Sequence, residues 1–520
     1  MSLASTGARI NIWGRLEQIV PRLLVLTLIL WIAAIFAASF FKYETLGQGY
    51  DQVDFEQAIW NTTQGRLAED SRFNFTGSVF GMDWMPMLLF FVPVYALLPS
   101  AHTLFFLQIV GAGLGAIPVY WLARDRLGSK LVGYCAALLF LLYPTLLHTV
   151  LSPFQVRLFS VTLLLFAFYY FAKAKWPFFA AFALLAMLAR TDVSLVVAMF
   201  GLYGLLTQRR WPYVVPPLMV GFAYFALSTF VIVPSFAYPG VLSGGNGEVG
   251  MSCWPCGTNP ILAYYGHLGS SGGEIIAYIL THPFEVVGLM FTGEKVGYML
   301  SLLVPLLFFP MLALRPLVLC LPILALNLLS VREAQYDFEH HYSLLLIPGL
   351  IVATIYGADT FRRLVTTRLS RSDNYLAHGV RVAAILCVAW ALAMQLPYKN
   401  PAARAFLYPE PPERVSVARE LISMVPPDAK VAASSKLAPR LLPRRFIYNF
   451  PPAPYSPYNF GPRRSPLYID LDYILVDPKA SALGYEDNKI GEKTGLELLR
   501  ELPDWTQVAD REGFLLFRRR

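Results

Sequence analysis

The stretch IVPRLLVLTLILWIAAIFAASFF, residues 19–41, decides the class of this chain. A helix needs roughly 20 apolar residues to cross a bilayer, and this run supplies them without an acidic residue. The segment that follows holds seven acids against three bases: Glu44, Asp51, Asp54, Glu56, Glu69, Asp70 and Asp83, against Lys42, Arg66 and Arg72. Because basic residues concentrate in cytoplasmic loops, this balance predicts that residues 42–100 form a first loop on the outer side.

Composition supports the same class along the whole chain. Of 520 residues, 56% are hydrophobic and 15% are charged, and the mean hydropathy is +0.50. This excludes an ordinary soluble globule. The net charge of +8 lies in short loops between apolar runs and in the C-terminal tail, so we predict no nucleic-acid partner. No glycine-rich phosphate loop is found, and the cytoplasmic loops are too short for an ATP-hydrolysing domain.

About eleven spans are predicted. Their approximate cores are 19–41, 101–123, 131–150, 157–173, 176–189, 193–207, 212–234, 297–314, 316–331, 341–358 and 379–397. The run 84–98 is short and contains two prolines, so we interpret it as a re-entrant or surface helix. With the N-terminus cytoplasmic, the inner segments then carry sixteen bases against four acids, and counting 84–98 as a span would invert that bias.

These patterns predict an α-helical polytopic membrane protein with two domains. Residues 1–397 form the transmembrane domain, with outer loops at 42–100 and 235–296, and residues 398–520 form a small extracytoplasmic α/β domain. In the second domain we predict helices over 412–424 and 492–501. Strands are predicted over 430–433, 446–448, 473–476, 506–509 and 514–517. The predicted location is the cell (inner) membrane, crossed many times.

The five cysteines divide into two groups. Three lie inside apolar runs and are expected to be packing residues. Cys253 and Cys256 form a C-W-P-C pair in the second outer loop, where a structural disulfide is favoured. Half of a metal site and a redox role are the alternatives for this pair.

Candidate functional residues form polar clusters on the predicted outer side. They are Asp51 and Asp54; Asp83; Gln155 with Arg157; Arg190 with Asp192; Glu339, His340 and His341; and, in the C-terminal domain, Arg444 and Arg445. Ionisable groups at span ends are costly, which makes each cluster a candidate site. Each also has a structural alternative: a snorkelling anchor for Arg157, an ion pair for Arg190 and Asp192, and interfacial polar residues for the histidines.

Transfer of a sugar from a polyprenyl-phosphate donor fits this pattern. The lipid tail would lie among the spans, and arginine or histidine would hold the phosphate of the leaving group. A carboxylate would act as general base toward the acceptor hydroxyl. Such a reaction needs no nucleotide-binding domain.

The chain resembles the GT-C superfamily of integral membrane glycosyltransferases, and most of all the bacterial membrane family called domain of unknown function 2079. The segments that carry the resemblance are YDQVDFEQAIWNTTQGR (50–66), FGMDWMPMLLFFVPVY (80–95), HTLFFLQIVGAGLGAIPVYWLARDRLG (102–128), EHHYSLLLIPGL (339–350) and SSKLAPRLLPRRFIYNFP (434–451). The resemblance implies an inverting hexosyl or pentosyl transfer with Asp51 as the catalytic or metal-binding carboxylate, and Asp54 competes for that role.

This sequence departs from the family pattern at four places. Val53 stands where a glycine is expected, Asp83 and Gln155 stand where histidines are expected, and a Lys-Glu-Asp-like element is represented by Arg190-Thr191-Asp192. These departures leave open whether a divalent metal ion is bound, with Asp51 and Asp83 as its candidate ligands. The donor sugar, and a glycan, lipid or protein acceptor, are equally open.

Two other functions stay open from the sequence alone. A lipid flippase or transporter would suit an apolar multi-span chain, although no internal repeat of the kind found in transporters is seen. A non-catalytic protein of envelope assembly is the third possibility.

Overall fold

The computed structural model describes residues 12–71, 77–236, 264–369, 373–450, 471–479, 489–490 and 493–520. The chain is mostly helical, at 70%, and a small sheet lies near its C-terminus. Cys253 and Cys256 lie outside the described residues, and so do residues 451–470.

The helices of the first half follow the predicted apolar runs closely. In chain order they are α1 Ile12–Glu44, α2 Asp51–Thr63, α3 Val92–Leu97, α4 Ala101–Gly113, α5 Ala116–Leu127, α6 Lys130–Leu141, α7 Pro144–Val150, α8 Arg157–Ala172, α9 Trp176–Met187, α10 Val193–Leu206, α11 Val215–Leu227 and α12 Val233–Ser235. The prolines of the run 84–98 lie at the first turns of a 3-10 helix, Pro86–Phe91, and of α3. Proline suits these positions because the first turn of a helix has no intrahelical partner for its N–H groups.

The second half continues with shorter helices and then the sheet domain. The helices are α13 Gly272–Thr281, α14 Pro283–Met290, α15 Gly293–Leu303, α16 Leu314–Leu317, α17 Leu321–Leu329, α18 Ile347–Leu369, α19 Asp373–Ala393, α20 Pro401–Leu407, α21 Pro412–Ser423 and α22 Gly495–Glu501. The strands are β1 Val431–Ala433, β2 Ile447–Asn449, β3 Tyr473–Val476, β4 Lys489–Ile490, β5 Lys493–Thr494, β6 Trp505–Arg511 and β7 Phe514–Arg519.

Four helices among the described residues are long and apolar enough to cross a membrane. They are Trp13–Glu44, Ala101–Leu127, Trp211–Ser235 and His341–Thr366. Two bent pairs, Lys130–Leu141 with Pro144–Val150 and Pro283–Met290 with Gly293–Leu306, raise the number to six if each pair is one span. The remaining predicted spans are apolar helices of 10–17 residues. The number of about eleven crossings therefore stays a prediction.

The helical domain has two ends with different charge chemistry. At the Glu17 end, defined by the start of α1, Glu17 pairs with Arg381, and the nearly buried Asp359 pairs with three arginines, Arg126, Arg362 and Arg363, at 2.8–3.1 Å. All four bases belong to the segments predicted to be cytoplasmic. These four bases therefore lie at one end of the helical domain, where they form ion pairs with Glu17 and Asp359, two acids that were predicted to lie on the same side of the membrane.

The opposite end, called the Glu44 end, contains the last residue of α1. The Lys42 ammonium there donates to the Leu151 carbonyl at 2.8 Å, and the Gln48 side chain donates to the same oxygen at 3.3 Å. These bonds join the end of α1 to the segment between α7 and α8. The C-terminal domain lies at this end, because Tyr43 donates a hydrogen bond to the Pro439 carbonyl at 3.0 Å.

The C-terminal domain contains a mixed five-stranded sheet in the order β2-β1-β3-β7-β6. The first three strands are parallel, and β7 pairs antiparallel with β3 and β6. The predicted strands and helices of this domain are confirmed, and the hairpin β4–β5 is an addition to them. The turn between β6 and β7 has positive φ at Glu512 and Gly513, as a tight hairpin between right-twisted strands requires.

Candidate functional site

The acidic sequence after the first span folds into α2, which begins at Asp51. One face of α2 packs on the C-terminal domain. Tyr50, just before the helix, and Val53 are buried in one apolar cluster with strand residues such as Val431 and Ile447. Val53 is fully buried there, so the residue that replaces an expected glycine fills space between the two domains.

Gln57 continues this face one turn further along. Its side-chain nitrogen donates to the carbonyls of Arg444 and Arg445 at 3.2 and 2.7 Å. Its side-chain oxygen accepts from the Ser71 amide at 3.0 Å, and the Ser71 hydroxyl exchanges hydrogen bonds with the backbone of Ile447. The first loop is therefore attached to β2 by buried polar contacts with matched donors and acceptors.

The opposite face of α2 is directed toward the helical domain. Gln52 accepts a hydrogen bond from the Phe154 amide at 2.8 Å and donates to Glu56 at 2.9 Å. Tyr95 of α3 donates its hydroxyl proton to the other oxygen of Glu56 at 3.0 Å. Glu56 is 3% exposed, and both of these hydrogen-bond donors are neutral.

The environment of Glu56 changes its acidity. Burial disfavours the charged carboxylate, while the hydrogen bonds from Gln52 and Tyr95 favour it. Burial is the larger effect and raises the pKa of Glu56 to about 7. The carboxyl group of Glu56 is thus able to carry a proton near neutral pH.

The two predicted catalytic carboxylates lie in the first turn of α2. Asp51 is half-buried and Asp54 is buried, and acidic side chains are favoured in a first helical turn by the helix dipole. Asp54 is one turn before Ala58, which packs in an apolar cluster with Phe80 and Met85. Phe80 and Met85 flank Asp83 in the sequence, so α2 packs against the segment that carries Asp83.

Four of the predicted polar residues meet in one cluster at the ends of α8 and α10. Arg190 donates to Asp83 at 2.5 Å, and Arg157 donates to Asp192 at 2.6 Å. The two pairs are linked, because Arg190 also lies 4.0 Å from the Asp192 carboxylate. We call Asp83, Arg157, Arg190 and Asp192 the arginine cluster.

The local sequence explains how the arginine cluster forms. Arg190 and Asp192 lie in the short turn between α9 and α10, and the Thr191 amide between them donates to Asp83 at 3.2 Å. The Trp84 amide in turn donates to the Thr191 hydroxyl at 3.3 Å. The 83–84 segment and the 190–192 turn are therefore held together by backbone and side-chain contacts, and Arg157 reaches them from the start of α8.

The arginine cluster is largely shielded from solvent and incompletely hydrogen-bonded. The side chain of Arg157 is 4% exposed, and its Nε has no hydrogen-bond partner among the described residues. The Oδ1 of Asp192 likewise has none among them. Two guanidinium groups and two carboxylates balance in charge, yet unused donor capacity is left at Arg157, which is the group that would bind a phosphate oxygen.

The other predicted residues of this region are placed around the cluster. The carbonyl of His341 accepts from Arg157 at 3.3 Å, and the amide of Gln155 donates to the Gln108 side chain at 2.6 Å.

The predicted residues Glu339 and His340 lie in a second polar group around Asp337. The exposed His340 contacts Asp337 at 3.0 Å. Burial alone would raise the pKa of Asp337, but the hydrogen bonds with His340 and the Glu339 amide outweigh it and lower that pKa. Glu339 lies within 4 Å of both His148 and Arg404.

The predicted arginines of the C-terminal domain have other contacts. Arg444 is buried and donates to the carbonyls of Leu441 and Ala429 at 2.6 and 3.0 Å, which fixes the chain before β2. Arg445 is half-exposed and pairs with Glu69 of the first loop at 2.8 Å. Arg444 thus stabilises the sheet domain internally, and Arg445 links that domain to the first loop. A phosphate-binding role for these two arginines stays a prediction.

The sequence assigns no role to Glu56 or to its donors Gln52 and Tyr95, and the structure brings these three side chains together. The sequence contained one signal, since Gln52 and Glu56 are one helical turn apart. Tyr95 is 39 residues from Glu56, so no local pattern indicated that contact.

The candidate metal ligands do not assemble into a ligand set in the described part of the chain. Asp83 is engaged by Arg190, whose positive charge opposes a cation at that carboxylate. No group of three or more His, Cys, Asp or Glu side chains comes together among the described residues. We therefore derive no chemical step through a metal.

The apolar helices and the polar cluster at their ends define a membrane protein, whose environment is a lipid bilayer. A family model described as "predicted membrane protein (DUF2079)" matches residues 42–516, so the chain belongs to this family. The match includes α2, the arginine cluster and most of the C-terminal domain. No curated protein matches the chain.

Proposed function

We propose that this protein is an integral membrane glycosyltransferase of the GT-C type, which moves a sugar from a polyprenyl-phosphate donor to an acceptor at the outer face of the cell membrane. The observation that carries the proposal is the arginine cluster, in which the buried Arg157 and the half-buried Arg190 lie at the ends of apolar helices. A phosphate attached to a lipid tail matches that position: the tail suits the apolar helices and the phosphate suits the guanidinium groups.

In this mechanism Arg157 and Arg190 bind the donor phosphate and stabilise the charge that develops on it. The bond between the anomeric carbon and the phosphate oxygen breaks, and the bond between that carbon and the acceptor oxygen forms with inversion. The acceptor hydroxyl gives its proton to a carboxylate of α2, and the lipid phosphate leaves with the electron pair. Asp51 is the proposed base, and Asp54 is the second candidate on the same helix.

Two features of the described contacts support a fixed position for that base. The helix α2 is bound on one face by the sheet domain through Gln57 and on the other by Phe154 through Gln52. A general base must be held within hydrogen-bond reach of the proton that it accepts. In the proposed orientation the N-terminus is cytoplasmic, and α2 lies outside with the sheet domain.

The test is transfer of radiolabelled sugar from a panel of polyprenyl-phosphate donors by the purified full-length protein. We expect Asp51→Asn to abolish turnover while donor binding is kept, and Arg157→Gln to weaken donor binding. Glu413→Gln, at an exposed position of α21, is the matched control and should retain activity.

The variants also separate the alternatives. Full activity in Asp51→Asn with loss in Asp54→Asn would move the base to Asp54. Absence of turnover with every donor, together with movement of the intact lipid between leaflets, would replace the proposal with a flippase. Lipid binding without turnover or movement would leave a non-catalytic membrane protein.

A further inference from the structure

An open cavity whose lining includes no residue of the arginine cluster lies between the start of α15 and the segment after α17. Its volume is about 540 Å³. The residues that line it include His267, Leu289, Glu294, Lys295, Ser330 and Tyr336. The lining contains both apolar and polar side chains, and one of them carries a buried ammonium group.

That cation is Lys295, which is 8% exposed. Its ammonium donates to the Leu289 carbonyl at 2.9 Å and lies 5.3 Å from the ring centre of Tyr336. Among the described residues no carboxylate lies within ion-pair distance of it. An ammonium has three donors, and a buried charge is costly unless it is paired, so Lys295 has capacity for an anion.

An apolar surface adjoins the cavity. Helix α14 contributes Leu289 to the cavity, and its Phe284 and Val287 are exposed, Phe284 at 90%. Leu280 near the end of α13 is also exposed. In a membrane protein such residues contact lipid chains, and Phe284 and Val287 lie on the helix whose end lines the cavity.

We propose that this cavity binds the phosphodiester headgroup of a membrane phospholipid. The phosphate accepts hydrogen bonds from Lys295, His267 is a second donor at the same cavity, and the acyl chains lie along Phe284 and Val287. The exposed carboxylate of Glu294 disfavours a doubly charged phosphate, which selects a diester over a monoester. None of the proposed catalytic residues lines this cavity, and the inference does not depend on the glycosyltransferase proposal.

The test is lipid binding to delipidated full-length protein in detergent, measured by native mass spectrometry and by the shift in thermal unfolding temperature. The ligands are phosphatidylglycerol, diacylglycerol of the same chains, phosphatidic acid and inorganic phosphate. We expect phosphatidylglycerol to bind tightest. Lys295→Gln should weaken it about tenfold, the typical effect of one charge-assisted hydrogen bond, and Lys295→Arg should largely preserve it.

Controls at other positions make the result specific. Lys175→Gln removes an exposed lysine elsewhere and should change nothing, and Phe284→Ser should weaken binding whereas Leu396→Ser, at another exposed apolar position, should not. Equal binding of diacylglycerol would overturn the proposal, since the headgroup would then not be recognised. Complete competition by inorganic phosphate, or unchanged affinity in Lys295→Gln, would overturn it as well.

Discussion

Both carboxylate oxygens of Glu44 accept hydrogen bonds from Arg440, each at 2.9 Å, across 396 positions of sequence. Arg419 of α21 contacts the same carboxylate at 2.7 Å, and His102 at the start of α4 lies 3.2 Å from it. One side chain at the end of α1 thus contacts another helix of the helical domain and two segments of the C-terminal domain. The position of that domain is fixed at the end of the first span.

Removal of the Glu44–Arg440 pair should loosen the C-terminal domain. We expect Glu44→Gln and Arg440→Gln each to lower the unfolding temperature, with a coupling of about 1 kcal/mol in a double-mutant cycle, because the pair is bidentate and partly shielded from water. The measurement is thermal unfolding in detergent, with cleavage between residues 393 and 412 by a protease as a second readout. Additive single effects would show that the two groups do not stabilise each other.

Gln57→Glu should separate the first loop from β2. The substitution replaces an amide that donates to two carbonyl oxygens with a carboxylate that faces them. We expect a loss of about 1–3 kcal/mol, the typical result of an unsatisfied buried polar group. Backbone amide hydrogen exchange should become faster in both α2 and β2. Gln64→Glu, at the exposed end of the same helix, is the matched control; exchange that rises equally in both variants would contradict the role of Gln57.

The Glu56 carboxyl predicts a specific pH dependence. Its pKa is raised from 4.5 to about 7 in the folded protein, so between these values the folded state holds more protons than the unfolded state. Its stabilising contribution is complete below pH 4.5 and is lost as the pH rises through 7. The unfolding temperature should therefore fall across this window, and Glu56→Gln should flatten the fall. An identical pH profile in the variant would exclude Glu56 as its source.

Arg157 and Asp192 should behave differently as single and as paired substitutions. Asp192→Asn leaves the buried Arg157 guanidinium without its carboxylate partner, for which we expect a loss of about 3–5 kcal/mol. Arg157→Gln should cost less, because Asp192 keeps Arg190 at 4.0 Å. The double variant Arg157→Met/Asp192→Leu should recover most of that stability. It should nevertheless bind no polyprenyl-phosphate donor, as donor titration would show. Donor binding by the stable double variant would remove Arg157 from the phosphate site.

Much of the secondary structure could be predicted from the sequence because its signals are local. The apolar run 157–173 became α8, Arg157–Ala172, and the run 212–234 lies within the helical stretch Trp211–Ser235. In the C-terminal domain, the predicted helix 412–424 became α21, and the predicted strand 473–476 became β3 with the same bounds. Periodicity and turn residues determine such elements without reference to the rest of the chain.

The contacts of the site were less predictable, because they depend on which distant segments meet. Asp83 and Arg190 were both recognised as candidates, but their pairing joins positions 107 apart. Arg444 was predicted to bind phosphate from its charge alone, whereas three backbone carbonyls surround it in the structure. The loop predicted at 235–296 contains α13 and α14, and α14 forms with Gly293–Leu306 a bent apolar pair, which is either one broken span or a re-entrant loop. Because each piece is short, no separate span was predicted there.

The contact between Gln57 and Arg445 has a consequence for the order of events during synthesis. The two residues are 388 positions apart, so at about 5–20 residues per second the ribosome makes them roughly 20 to 80 s apart. During that interval the nascent chain carries Tyr50, Val53 and Gln57 without the surface that covers them. Helix α2 is among the earliest segments translated and among the last to reach its native surroundings.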